Sequence, residues 1–286
     1  MDELGETISD GELALAISGV TDNFRLDGRS CFDIRQTKVL AGVVSSCNGS
    51  SQIRSKNCNI TVGVKVEVGV PNQDEPDMGI VEINVDCSAN ASPKFEGRGG
   101  QDLAQELVFI LSNAIIPSID RKALCISEGH KVWVVYIDVL VLECSCVSQL
   151  LDLSSQGIKA ALANTLVPKL IADEEDANDF VLSAEQEEYN PIDAMNLPIL
   201  LTLTRIHDQY VADVTEEEAA AGIARFSLAF DSKGRLSYSK KSGSGSLHPD
   251  PLKEVLGKAG KLAMKIHADL ETQLGLSEQK IKTEPR

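Results

Sequence analysis

The run KVWVVYIDVLVLE at 131–143 is apolar on both alternating sets of positions: Trp133, Val135, Ile137, Val139 and Val141 on one, Val132, Val134, Tyr136, Leu140 and Leu142 on the other. It predicts a β-strand covered above and below, because a strand with two apolar faces cannot lie on a surface. The run is too short and too β-branched to cross a membrane as a helix. Asp138 interrupts it. The expectation there is a carboxylate satisfied by neighbouring backbone N–H groups, with a catalytic role as the alternative.

Shorter alternations predict strands at 39–45, 60–68 and 81–87, the last two joined by the turn-rich loop PNQDEPDMG. A glycine-rich turn, EGRGG, then leads into a helix whose Leu103, Leu107, Ile110, Leu111 and Ala114 recur at helical spacing, with Pro117 beyond its end. A weak helix is expected at 11–20 and a further one at 150–164. Strands resume at 199–205, 210–214, 223–231 and 236–240, and Asp231-Ser232-Lys233-Gly234 suits a hairpin between the last two. From Pro251 a closing helix carries one apolar stripe, including Val255, Ala259, Leu262, Ala263, Ile266 and Leu270. Strands, helix, strand, helix, an acidic connector, then strands and a helix again imply an α+β protein. Its two halves are of similar construction, each sheet covered by helices.

Charge changes the picture more than composition does. The 286 residues suit two modest domains, and a hydrophobic fraction of 43% is ample for their cores. The net charge of −16 argues against a polyanionic partner only if it is spread evenly. It is not, because residues 1–10, 173–188 and 213–218 hold sixteen acids and no Lys or Arg, leaving 27 acids against 27 bases elsewhere. A local basic groove is therefore open to the chain. Arg25, Arg29 and Arg35 gather with Asp27 and Asp33 in what reads as a salt-bridged loop at the start of the fold. Lys94 and Arg98 flank a helix start, where an anion could bind, although GRGG matches no phosphate fingerprint. Seven cysteines show no disulfide framework, and Cys144-Ser145-Cys146 has no histidine near it to complete a zinc site. Buried free thiols in a reducing compartment are expected. No apolar run is long enough for a bilayer, so no membrane partner is expected.

Six stretches in order, FRLDGRS, VGVKVEVG, DCSANASPKFEGRGGQDL, IDVLVLE, IKAALANTLVP and KKSGSGSL, resemble the RNase PH family. Within it they are most similar to ring subunits of the RNA exosome from the non-catalytic lineage, over residues 19–274. The resemblance implies a duplicated fold like domain 2 of ribosomal protein S5, with two sheets covered by helices. The halves would span 20–168 and 196–275, joined by the acidic connector 169–195 and followed by a polar tail, 276–286. Six such subunits close a ring around a channel that threads single-stranded RNA, and active members use phosphate to shorten RNA from its 3′ end. The implied partners are other RNase PH-like ring subunits, S1/KH-type cap subunits and single-stranded RNA. The implied locations are the nucleus, nucleolus and cytoplasm, with no cofactor.

Active members carry two aspartates six residues apart after a strand of the second half, which hold metal or protonate the leaving group. Here Asp213 stands at the first position and Ala219 at the second, where no proton or metal chemistry is possible. Their Gly-Thr-Arg or Gly-Ser-Arg phosphate loop is matched by 144–149, CSCVSQ, with neither the glycine nor the arginine. A non-catalytic subunit without a metal is expected. The alternative is a working phosphorolytic exoribonuclease, with one of Glu216–Glu218 in place of the missing acid or a site shared with a neighbour. Family position makes Lys94 and Arg98 the candidate RNA contacts, against a competing pairing of Arg98 with Glu96 or with a neighbouring subunit's acid.

Overall fold

The structure, a computed structural model, describes residues 8–56, 58–168, 170–172, 180–182, 189–246 and 249–281. Helix α1 (Asp10–Thr21) starts at a capping box, in which Ser9 and Glu12 satisfy each other's backbone groups. Then come β1 (Lys38–Ala41), β2 (Gly49–Ser55), β3 (Cys58–Gly69), β4 (Ile80–Cys87), helix α2 (Gly99–Ile115), β5 (Cys125–Ser127) and β6 (Lys131–Cys144). The first sheet has the order β1-β2-β3-β6-β4, with β5 added to β6; β4 runs parallel to β6 and the other pairings are antiparallel.

Helix α3 (Leu150–Ala163) follows, then the short strands β7 (Leu166–Pro168), β8 (Leu170–Ala172), β9 (Phe180–Leu182) and β10 (Tyr189–Pro191), pairing β7 with β10 and β8 with β9. The second half comprises β11 (Ile199–Ile206), β12 (Gln209–Ala212), helix α4 (Glu216–Ala220), β13 (Ala224–Phe230), β14 (Leu236–Ser242) and helix α5 (Pro249–Ile281). Its sheet is antiparallel in the order β12-β11-β13-β14. Helix α5 thus continues into the stretch expected to be a polar tail. Within the acidic connector, 173–179 and 183–188 lie outside the described residues, as do 1–7 of the acidic start.

The periodicities explain the layers. Inward rows of β3 (Ile60, Val62, Val64) and β6 (Val135, Ile137, Val139, Val141) meet Leu107, Ile110 and Leu111 of α2 and Leu150, Ile158 and Leu162 of α3. In the second half Leu201 and Leu203 of β11 and Phe226, Leu228 and Phe230 of β13 meet Val255, Ala259, Ala263 and Ile266 of α5. Each Val, Leu, Ile or Phe side chain among them, fully buried, contributes about 1.5–3 kcal/mol. Helix α3 lies between the sheets, and Leu200 and Ala229 on the far face of the second sheet join the first core.

Three expectations need correcting. The strand covered on both faces is β11, every residue of which is buried. On β6, cover on the second face stops after Val134: Tyr136 is half-buried and Asp138, Leu140 and Leu142 are exposed. The reason is that α2 and α3 both pack on the face of Val135, Ile137 and Val139. Asp138 therefore meets water, with a 3.4 Å hydrogen bond from Asn84 Nδ2 rather than backbone N–H donors. The strand expected at 39–45 ends at Ala41, and β2 was not foreseen at all. Its GSSQIRS is polar, yet Gly49, Ser50 and Ser51 are buried because α3 lies close. A Cβ on Gly49 would stand 2.2 Å from Thr165 Oγ1, and Ser51 Oγ donates to Gly157 O at 2.8 Å. Small size here, rather than hydrophobicity, permits the packing.

Candidate functional site

The loop after α1 and the end of β12 form one charged constellation. Ala212 N–H donates to Cys31 O at 2.8 Å, which pins the loop to the strand. Asp213 then takes a left-handed conformation, φ 49°, which Asp tolerates better than most residues, and turns the chain into α4. A second capping box, Thr215 with Glu218, opens that helix and fixes where Glu218 points.

Glu218 meets Arg25, and both are buried. Arg25 donates through Nε to Glu218 Oε1 at 2.8 Å and through Nη2 to Oε2 at 2.6 Å. Its remaining donors reach Ala212 O at 3.2 Å and Asp213 O at 2.9 Å. The planar guanidinium suits this fork, and the carbonyls satisfy what the carboxylate leaves over. The loop expected to pair within itself therefore reaches across to the second half of the chain. Arg29 does both: it donates to Asp27 Oδ2 at 2.6 Å and to Asp213 Oδ2 at 2.8 Å.

Asp213 is saturated with donors. Oδ2 accepts from Arg29 Nη1 at 2.8 Å, from the Arg35 backbone N–H at 2.6 Å and from Arg35 Nε at 3.0 Å. Oδ1 accepts from Arg35 Nη2 at 2.8 Å and from Gln149 Nε2. A carboxylate offers about four lone-pair positions, so these contacts use all of them. Burial alone would raise the Asp213 pKa, but hydrogen bonds and the charge of Arg35, with Gln149, outweigh it and hold the carboxyl below its ordinary value. Gln149, in the stretch matched to the phosphate loop, thus spends its amide on Asp213.

Beside this contact lies a cavity of about 40 Å³, lined by Arg35, Ser55, Gln149, Asp152, Gln156 and Asp213 among others. That is space for a few waters at ~10–15 Å³ each. Gln149 Oε1 and Ser55 Oγ have no protein hydrogen-bond partner there. Burial pushes the Asp152 carboxyl up to about 7, against the pull of hydrogen bonds from Thr202. Those bonds are 3.0 Å from Thr202 N and 2.7 Å from Oγ1, and they tie α3 to β11.

Ala219 packs on a small apolar cluster formed by Val20, Cys31, Cys146, Ile206, Val211 and Val214. A carboxylate at that position would meet hydrocarbon. Neither Glu216 nor Glu218 is free to replace it, since Glu216 is ion-paired with Lys94 and Glu218 with Arg25. Lys94, a candidate RNA contact, therefore already has an acidic partner. Arg98 is exposed at the start of α2 with no side-chain capping bond, and the competing pairing with Glu96 is not formed. The neighbouring glycines serve the turn itself: Gly97 has φ 68°, and a Cβ on Gly99 would lie 2.6 Å from Lys94 O. Lys94 and Asp213 thus meet neighbouring parts of one region, while Arg98 stands apart in solvent. Sequence reasoning missed the pairing of Glu218 with Arg25, the contact of Gln149 with Asp213, and Asp152 altogether. The pattern Thr215-x-x-Glu218 was the available signal for the first.

All seven cysteines are free thiols. A hydrogen bond with Cys58, and then burial, raise the Cys144 thiol well above its ordinary value, and burial raises Cys146. Neither is poised as a thiolate nucleophile. Among the described residues no group of His, Cys, Asp and Glu is arranged to hold a metal ion, and no helix is long and apolar enough to cross a membrane.

Residues 33–168 match domain 1 of the 3′ exoribonuclease (RNase PH) family, and residues 196–261 match domain 2. The exosome complex component Rrp42 of Methanopyrus kandleri is 31% identical over 253 residues, 87% of this chain and 92% of that protein. The protein of the same description from Thermococcus onnurineus is 32% identical over 90% of each. Among solved structures, a chain of an archaeal exosome core superposes with a TM-score of 0.72 at 26% identity, over 92% of this chain and 97% of that one. A chain of the Archaeoglobus fulgidus exosome with RNA bound to the active site gives 0.75 at 28%, over 91% and 98%.

Proposed function

Because the chain belongs to the RNase PH family of 3′ exoribonucleases, we propose that it is a non-catalytic ring subunit of an RNA exosome. It helps to pass single-stranded RNA to the processing machinery without cleaving it. The observation that carries the non-catalytic part is the state of Asp213. Its carboxylate is consumed by Arg29, Arg35 and Gln149, and the second acid of the pair is replaced by Ala219 on an apolar cluster. An acid so placed can accept neither a metal ion nor a proton in transit without first breaking contacts that hold the fold. The ring assignment is supported by relatives that are themselves exosome components along nearly their full length. In this reading the neighbours are other RNase PH-like subunits, with S1/KH-type cap subunits above, in the nucleus, nucleolus and cytoplasm.

The test has two arms. Purified chain incubated with single-stranded RNA, phosphate and Mg²⁺ should release no nucleoside diphosphates, and their release from a contaminant-free preparation overturns the non-catalytic reading. Co-expression with RNase PH-like partners should yield a stable complex, and a well-behaved monomer that ignores them overturns the ring assignment.

A further inference from the structure

A different constellation lies along α5. Two adjoining grooves, of about 870 and 620 Å³, share Phe32, Leu262 and Lys265. Lys258, Lys261 and Lys265 recur at i, i+3 and i+7, which places them on one side of the helix. Lys38 of β1 and Lys56 beyond β2 line the groove from the first sheet. Two carboxylates line the grooves beside these five ammonium groups, and Glu254 pairs with one of the five from outside. Asp33 accepts from Ser30 N and Oγ at 2.9 and 2.6 Å, contacts that, with a weaker pull from Lys265, hold its carboxyl below the ordinary value. Asp269 is the other. Arg35 also borders the groove, but its guanidinium is spent on Asp213. Lys258 pairs with Glu254 at 2.8 Å and stands over the Phe32 ring. Lys38, Lys56, Lys261 and Lys265 are exposed and form no ion pair among the described residues.

Between the lysines lie Phe32, Ile34, Leu262, Ile266 and Leu270, all half-buried or buried. A chain of net charge −16 thus collects ammonium groups around an aliphatic floor. Single-stranded nucleic acid is held by aromatic stacking platforms and guanidinium forks. Among the described residues this groove offers one aromatic ring and no free arginine. A peptide that alternates carboxylates with apolar side chains matches both rim and floor, since complementary charge at the rim steers association and apolar burial in the centre holds it. We propose that the groove between α5 and residues 30–39 binds an acidic, amphipathic peptide segment of a partner protein. The proposal does not depend on ring membership.

The probe is a short fluorescein-labelled peptide alternating Glu with Leu and Phe, titrated with the full-length chain by fluorescence anisotropy. Binding should weaken as salt rises. It should fall roughly tenfold or more in Lys261→Glu/Lys265→Glu and again in Lys38→Glu/Lys56→Glu, two independent walls whose folding is checked by circular dichroism. Lys253→Glu, on the same helix outside the groove, should leave binding unchanged. A polyglutamate of equal length should bind at least about tenfold more weakly, because it lacks the apolar half of the match. Equal binding of polyglutamate, or insensitivity to both lysine pairs, overturns the proposal. So does tighter binding of an oligouridine that competes with the peptide, which would make the groove a nucleic-acid surface.

Discussion

Glu216 and Glu218 lie two residues apart on α4, and each pairs with one base, yet the two pairs differ in nearly everything that sets their energy. The Glu218 and Arg25 side chains are 2% and 0% exposed, whereas those of Glu216 and Lys94 are 38% and 48% exposed. Water already solvates the second pair, so its net contribution is about 0–1 kcal/mol. The first has no such reservoir. Its desolvation is offset only by a two-pronged contact and by backbone carbonyls, so removing either partner strands a charge. A helix of five residues therefore holds one pair that shapes the fold and one that decorates it.

The largest effect is expected at the buried pair. Arg25→Met should lower stability by about 3–5 kcal/mol in urea unfolding, with Glu218 left uncompensated. The double variant Arg25→Met/Glu218→Leu should recover a substantial part of that loss. A single-variant loss below ~1 kcal/mol would place this pair in the same class as Lys94–Glu216 and erase the contrast.

Next come the two aspartates around Gln149. Asp213→Asn keeps the shape but leaves Arg29 and Arg35 facing an uncharged amide, and should cost about 1.5–3 kcal/mol. The folded-state pKa of Asp213 lies below its unfolded value. Its stabilisation is therefore present above the unfolded pKa of ~4 and lost as pH falls through the folded one. The Asn variant should remove that acid limb. Asp152 titrates in the opposite sense, because its folded pKa is pushed up to about 7. The folded state then holds the proton that the unfolded chain releases near ~4, so stability declines as pH rises from there to neutrality. Asp152→Asn should flatten that decline. An unchanged pH profile of unfolding in either variant would show that the group does not titrate as described.

How far the sequence reveals these features depends on what each feature is made of. Alternation marked β3 and β4, a run apolar on both sets of positions marked β6, and helical stripes marked α2 and α5, because burial leaves a periodic trace. Coverage of the second face leaves no such trace. The row Tyr136, Leu140 and Leu142 looks interior but is open, while Thr202 and Thr204 look half-polar but lie buried in β11. β2 escaped because its contacts with α3 depend on the absence of side-chain volume at Gly49 and Gly157, which a hydropathy pattern does not register. At the candidate site, Ala219 and the stretch 144–149 drew notice only through the resemblance to a family pattern. The partner of Arg25 was not, since Glu218 is distant in sequence and stands in a run of three identical acids. Only the capping geometry distinguishes it from its neighbours.

The smallest effects on stability belong to the exposed loop, where they also sharpen the comparison most directly. Lys94→Ala should shift stability by no more than ~1 kcal/mol, since it breaks a solvated pair. Arg98 has even less to lose, being exposed with no capping bond. If that freedom is kept for RNA, Arg98→Glu in the assembled ring should weaken single-strand binding while leaving stability and assembly intact. A phosphate contact carries no sequence preference and releases counterions, so the loss should be about the same for all sequences and larger at low salt than at high. Arg98 and Arg25 would then be opposites: one guanidinium spent wholly inside the fold, the other held in reserve for a ligand. Binding and crosslinking that do not change would remove Arg98 from the channel. A ring that falls apart would show that its partner is an acid on the neighbouring subunit, and that the arginine left exposed in the single chain is buried by assembly.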